Sequence, residues 1–206
     1  MKMKHFIDLH KGITGLVMLG LLLYYQRWDN PTAWLYLALH GGYGLLWVLK
    51  SRIFPDRQWE QLTSLPYGFL IWGGLSLYWL GGWIIMAYNV HAPGWWLAFC
   101  TLLYAIGLFF HFSADMQKHT ALSLQPGHLI TGGLFALSRN PNYFGELLIY
   151  AGFGLLAIHW LPILILLLWV LFYWLPQMRR KDRSLARYST FSEYAARTKL
   201  FIPFIW

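Results

Sequence analysis

Acidic side chains are scarce in this chain. Eight Asp and Glu stand against sixteen Lys and Arg in 206 residues, and charged residues together make up only 12%. A soluble domain carries about 25%. With 58% apolar residues beside so little charge, the composition excludes both a disordered segment and an ordinary water-soluble globule. Cysteine is reduced to Cys100, set in an apolar stretch, so no disulfide framework or cysteine-based metal site forms within one chain. Eight histidines are present, but no two share H-x-x-H, H-x-x-x-H or H-E-x-x-H spacing, which excludes a helical cluster of metal ligands. There is no G-x-x-x-x-G-K-[ST], no G-x-G-x-x-G after a strand and no G-x-S-x-G. A nucleotide would therefore be held without a P-loop or Rossmann module. The net charge of +8 is not a nucleic-acid patch, because the cations sit between apolar runs.

What the chain does have is long uncharged runs. Residues 61–114 and 147–178 carry no Asp, Glu, Lys or Arg, and 12–26 and 30–49 are similarly clean. A helix needs roughly 20 apolar residues to cross a bilayer. Turn signals at 89–94 and 159–162 divide the two longest runs, giving six expected spans at 12–26, 31–49, 65–87, 94–112, 142–159 and 161–176. The first is short enough for a signal-peptide core, but no small-residue cleavage site follows it, so it is read as a span. Fifteen of the sixteen Lys and Arg fall in alternate inter-span segments; Arg27 alone lies on the other side. The positive-inside rule then puts both termini in the cytoplasm. The expected fold is an all-α, multi-pass membrane bundle of about six helices, one domain over 1–206, with a basic cytoplasmic C-terminal helix from 177 to about 198. Such a helix is also what attraction to anionic headgroups would favour.

Against this background a few polar residues stand out. Pro141 suits a helix start with Asn140 as cap, so Asn142 and Glu146 lie at i and i+4 on one face. Glu146 then sits about a turn inside the membrane boundary, where an ionisable group is costly and usually functional. The competing reading is an interfacial carboxylate paired with Arg139 or a tail arginine. In the tail, Arg180, Ser184 and Tyr188 recur every four residues, flanked by Arg183 and Arg187. Guanidinium groups suit phosphate, so this face could hold an anionic cofactor whose reactive end reaches into the bilayer.

Three stretches carry a resemblance. They are Ala114-Asp115-Met116-Gln117-Lys118, then Gly132-Gly133-Leu134-Phe135, then Ser138-Arg139-Asn140-Pro141-Asn142-Tyr143-Phe144-Gly145-Glu146. With Tyr188, Phe191-Ser192-Glu193-Tyr194 and the Ile202-Pro203-Phe204 ending, they resemble the steroid 5α-reductase-like family, most of all its small bacterial members. The wider superfamily includes sterol reductases and isoprenylcysteine and phospholipid methyltransferases, which share an R-H-P-x-Y-x-G segment. The resemblance covers about 110–206. It implies a multi-pass protein of the bacterial inner membrane, a cytoplasm-facing NADPH pocket in the C-terminal half, and a lipophilic substrate entering from the bilayer. Carried over by position, Asn142 and Glu146 would meet the nicotinamide region. Asp115, Arg139, Arg180 and Tyr188 would line the ribose, phosphate or adenine part, and Tyr143 and Asp182 would be further cofactor-binding residues. The implied reaction is hydride transfer to the β-carbon of an electron-poor C=C, with Glu146 and a tyrosine as catalytic groups.

The chain departs from the family pattern in two places. Arg139-Asn140-Pro141 stands where many relatives have R-H-P, and no Glu precedes Glu60 to polarise a steroid carbonyl. Of Tyr36, Tyr43 and Tyr67, the mid-span Tyr43 is the expected substitute. An S-adenosylmethionine-dependent membrane methyltransferase is the alternative, although the tail has Lys181-Asp182 where those enzymes commonly have a Glu pair. A non-catalytic lipid-binding membrane protein is the third reading. No metal and no nucleic-acid partner are expected.

Overall fold

The first helix, α1 (Met3–Tyr24), begins well before the apolar run expected at 12–26. Asp8, His10 and Lys11 therefore ride on the same helix as the apolar face. A computed structural model describes residues 1–205. Among these there is no β-strand, only the isolated bridges Lys2–Leu62 and Ser138–Lys199, so the chain is all-α. It divides into two units. The first comprises Met1–Tyr104 with Ala151–Ile165, and the second Ala105–Tyr150 with the chain from Leu166 onward.

In the first unit, α2 (Pro31–Tyr36), a π turn (Leu37–Gly41) and α3 (Gly42–Ile53) form one helical run against α1. Glycines bring the two helices close. A Cβ on Gly41 would lie 2.9 Å from the Cα of Gly15, and one on Gly44 would collide with the Lys11 carbonyl. The run starts sharply because the buried Asn30 accepts from the Thr32 and Ala33 N–H groups, with Pro31 at the first helical position. Its side-chain amide donates to Asn89 Oδ1 and Val90 O, each at 3.0 Å. Next come α4 (Leu65–Ser76) and α5 (Trp79–Ala87), bent by 40° at Leu77-Tyr78. Gly81 and Gly82 of α5 accept the ring of Tyr36, whose hydroxyl donates to Tyr78 O.

The long α6 (Gly94–Leu124) continues past the expected end at 112. The polar residues after Ala114 do not break a helix, and the first strong breakers are Pro126-Gly127. What reads as a loop over 113–141 thus begins only after Leu124. α7 (Pro141–Gly154) passes into a 3-10 turn (Leu155–Ala157) that ends at Ile158, held in the left-handed region at φ 46°. α8 (Trp160–Trp169), a π turn (Val170–Trp174) and α9 (Leu175–Leu185) make one continuous helix. The π turn has a local cause: Pro176 has no N–H to offer the carbonyl at 172, and its ring crowds that position. The Leu175 N–H instead reaches Val170 O. The tail expected as one helix to about 198 breaks after Leu185 and resumes as α10 (Phe191–Arg197).

Three of these helices are long and apolar enough to cross a membrane: Met3–Tyr24, Gly94–Leu124 and Trp160–Leu185. The bent pair α4–α5 makes a fourth if it counts as one span. The expected spans at 31–49 and 142–159 fall on the π-interrupted run and on α7 with its 3-10 turn. The apolar surfaces are consistent with an integral membrane protein.

Candidate functional site

The strongest sequence candidates converge on the entry to α7 in the second unit. Here α6 and α7 pack backbone to backbone. A Cβ on Gly145 would strike the backbone of His111 and lie 2.7 Å from Gly107 O, and one on Gly107 would lie 2.7 Å from Gly145 O and Ile149 N. His111, buried on α6, lies 3.1 Å through Nδ1 from the Asn142 carbonyl. A carbonyl only accepts, so Nδ1 carries the proton. At about 100° per residue, Gly145 and Ile149 face α6 while Tyr143 and Tyr150 lie on another side of α7. Both tyrosine rings lie against Trp174, with centroids 5.6 and 6.1 Å away. Glu146 falls between these two contact lines. It is half-buried, and the helix turns it toward the interior rather than away from it.

The polar residues just before α7 are occupied differently. Arg139 Nε donates to Asp182 Oδ2 at 2.9 Å, and its Nη1 donates to the carbonyls of Thr198 (2.7 Å) and Ala195 (3.2 Å). Lys181 donates to Arg139 O and Asn140 Oδ1. Asn140 is fully buried, and its amide donates to Leu200 O; Ser138 donates to Phe201 O. Tyr194 donates to Phe135 O at 2.7 Å, and burial pushes its hydroxyl up to about 12. The corner at 138–140 is thus clasped by α9 and by α10 with the chain that follows it. Two expected cofactor ligands, Arg139 and Asp182, hold each other in this clasp. Asp182 Oδ1 is buried and has no hydrogen-bond partner among the described residues.

Beside the clasp lies an open cleft of about 290 Å³, lined by His128, Leu129, Thr131, Tyr188, Glu193 and Arg197, among others. That is near the lower end for small-molecule sites, about 300–1,000 Å³. Tyr188 is the sequence candidate that reaches it. Arg187 stacks on the Tyr188 ring, and Arg197 pairs loosely with Glu193 at 3.5 Å. Asp115 is buried on α6, 3.9 Å from Lys118. Arg180 is exposed and makes no ion pair among the described residues. Tyr43 belongs to the first unit. It is fully buried there, with Lys11 Nζ 4.1 Å from its ring centroid.

Several members of this region escape a reading by residue type. His111, Ser138, Asn140 and Lys181 matter through backbone carbonyls far along the chain, and no spacing announces such partners. Of the cleft, Tyr188 carries the four-residue recurrence in the tail and Glu193 lies in a stretch that carries the resemblance; His128 and Thr131 carry no signal. Among the described residues no cluster of three His, Cys, Asp or Glu side chains could hold a metal.

An all-α chain with several bilayer-length helices and a polar, clasped C-terminal unit is the class this fold defines. Residues 56–198, most of the chain, match the family described as "Protein of unknown function (DUF1295)", so the chain belongs to that family, which is of the steroid 5α-reductase-like type. No curated protein matches the sequence.

Proposed function

We propose that the chain is a multi-pass membrane enzyme, with about six crossings and cytoplasmic termini, that uses NAD(P)H to reduce a C=C bond in a lipophilic, steroid- or isoprenoid-like substrate taken from the bilayer. The observation that carries this reading is Glu146, a half-buried ionisable group one turn beyond Asn142, between the side of α7 that faces α6 and the side whose tyrosines lie against Trp174. Such a group in a membrane-embedded segment is functional by default. The likeness of the family to the steroid 5α-reductases supports the same reading. When bound, the nicotinamide supplies a hydride. Glu146 and the Asn142 side chain would orient the nicotinamide end by hydrogen bonds. In the cleft, the Tyr188 ring would take the base, and Arg197 with the Thr131 hydroxyl would take phosphate and ribose. The cleft's volume fits one end of a dinucleotide rather than the whole. Tyr43, the catalytic candidate of the first unit, is tested separately by Tyr43→Phe.

The test is direct. The protein is purified in detergent and its thermal stability read against NADPH and S-adenosylmethionine. A ligand at a hundredfold excess over Kd stabilises by about 2.7 kcal/mol. NADPH is expected to stabilise the wild type, and Glu146→Gln to remove most of that effect. Stabilisation by S-adenosylmethionine alone would replace the reductase by a methyltransferase. No response to either would favour a non-catalytic lipid-binding protein.

A further inference from the structure

α9 has two faces with different fates. At about 100° per residue, Arg179, Arg180 and Arg183 share roughly 100° of arc, and Leu175, Met178, Lys181 and Asp182 lie on the other side. The second face is spent. Leu175 and Met178 are buried, Asp182 takes Arg139, and Lys181 takes the 139–140 corner. The first face is exposed, and none of its three arginines has an ion-pair partner among the described residues. The only carboxylate of α9 is Asp182, and the clasp already holds it.

Position decides what this face meets. α9 is not a detached helix; it is the last part of the continuous Trp160–Leu185 helix, whose earlier residues are apolar. Arg179, Arg180 and Arg183 follow Pro176 within two turns, so they stand where that helix leaves the hydrocarbon. Phe172 and Leu171, just before them, are exposed apolar side chains that suit acyl tails. Three guanidinium groups without protein counter-charges at this depth match the phosphates of anionic lipids.

We infer that the Arg179/Arg180/Arg183 face of α9 is a binding surface for anionic phospholipid headgroups in the leaflet where the last membrane-crossing helix emerges. It assigns Arg180 to lipid rather than to the cleft, and it rests on the membrane-embedded reading proposed above. The face would fix the height of the final helix in the bilayer while its opposite side clasps the 138–140 corner.

The test uses the full chain reconstituted in phosphatidylcholine vesicles, with vesicle flotation at alkaline pH to verify embedding. Spin-labelled phosphatidylglycerol and phosphatidylcholine then report the lipid preference at the protein surface. The wild type is expected to prefer phosphatidylglycerol on the order of fivefold or more, since each surface cation contributes roughly that factor. The triple variant R179Q/R180Q/R183Q is expected to fall to within about twofold of no preference, while R179K/R180K/R183K keeps most of it. R52Q/R57Q, with Arg52 in the last turn of α3 and Arg57 in the 3-10 turn that follows, is expected to keep the wild-type value. Equal affinities in the wild type, or full preference in the triple Gln variant, overturns the inference. So does loss of the preference on adding NADPH, which would return the arginines to the nucleotide. Failure to float would instead strike the embedding that underlies the proposed function.

Discussion

Single residues in this chain act mostly by what their backbone neighbours permit. Gly145 is the clearest case, because His111 and Gly107 occupy the space a methyl group would need. Gly145→Ala is expected to cost about 1–3 kcal/mol, since α6 and α7 must separate to admit the extra carbon. In a detergent melt this is a fall of roughly 2–10 °C. Gly20→Ala, on a helix with nothing within 4 Å of the added atom, should leave the midpoint unchanged or raise it slightly. An equal loss in both variants would mean that glycine's effect here is conformational rather than steric. Gly145 belongs to the stretch that carries the resemblance and Gly20 does not, but nothing in the sequence shows that one is packed against backbone and the other is open. The close approach is a property of the facing helix. Glu146, by contrast, is legible from sequence, because a carboxylate among apolar neighbours needs no partner to be conspicuous.

Helices fared better than the contacts between them. Uncharged runs identified the apolar stretches of α1, α4 to α6 and α8 because exclusion of charge is what lipid requires. The same criterion misplaced their ends. Asp8, Lys11, Asp115 and Lys118 terminated the apolar runs but not the helices, since charged side chains disfavour hydrocarbon without disfavouring helical backbone. The clasp at 138–140 was legible only as a proline start with an asparagine cap. Its partners are the α9 side chains Lys181 and Asp182 and carbonyls of residues 195–201. Short ordered pieces outside the helices are held by ionic contacts. Near Arg57–Glu60, Glu60 takes both Lys2 and Lys4, and these hydrogen bonds hold its carboxyl below its ordinary value. A lowered carboxylate stabilises the fold above its unfolded-state value and loses that contribution as pH falls through the folded one. The difference in melting midpoint between wild type and Glu60→Gln should therefore hold steady at neutral pH and close below about pH 4. A gap that stays open in acid would mean that Glu60 acts through packing.

For the whole molecule, the alternation of cationic segments makes a topological prediction that helix lengths alone do not. Cys100 is fully buried, so the wild type should resist a membrane-impermeant maleimide. Single cysteines at the exposed positions Gln58 and Ser189 are expected to label from one side of the membrane, and one at His91 from the other. Labelling of all three from the same side would remove α4–α5 from the set of crossings and leave an even number of crossings between His91 and Ser189. The clasp also bears on how such a chain is made. Arg139 depends on Ala195 and Thr198, Asn140 on Leu200, and Ser138 on Phe201. A nascent chain that has reached residue 190 owns every helix through α9 but none of those acceptors. Lys181 and Asp182 of α9 can already hold Asn140 and Arg139, but the α7 entry is only half latched until residues 195–201 leave the ribosome. Emergence of residues 195–201, rather than insertion of the Trp160–Leu185 helix, is the moment at which the second unit locks.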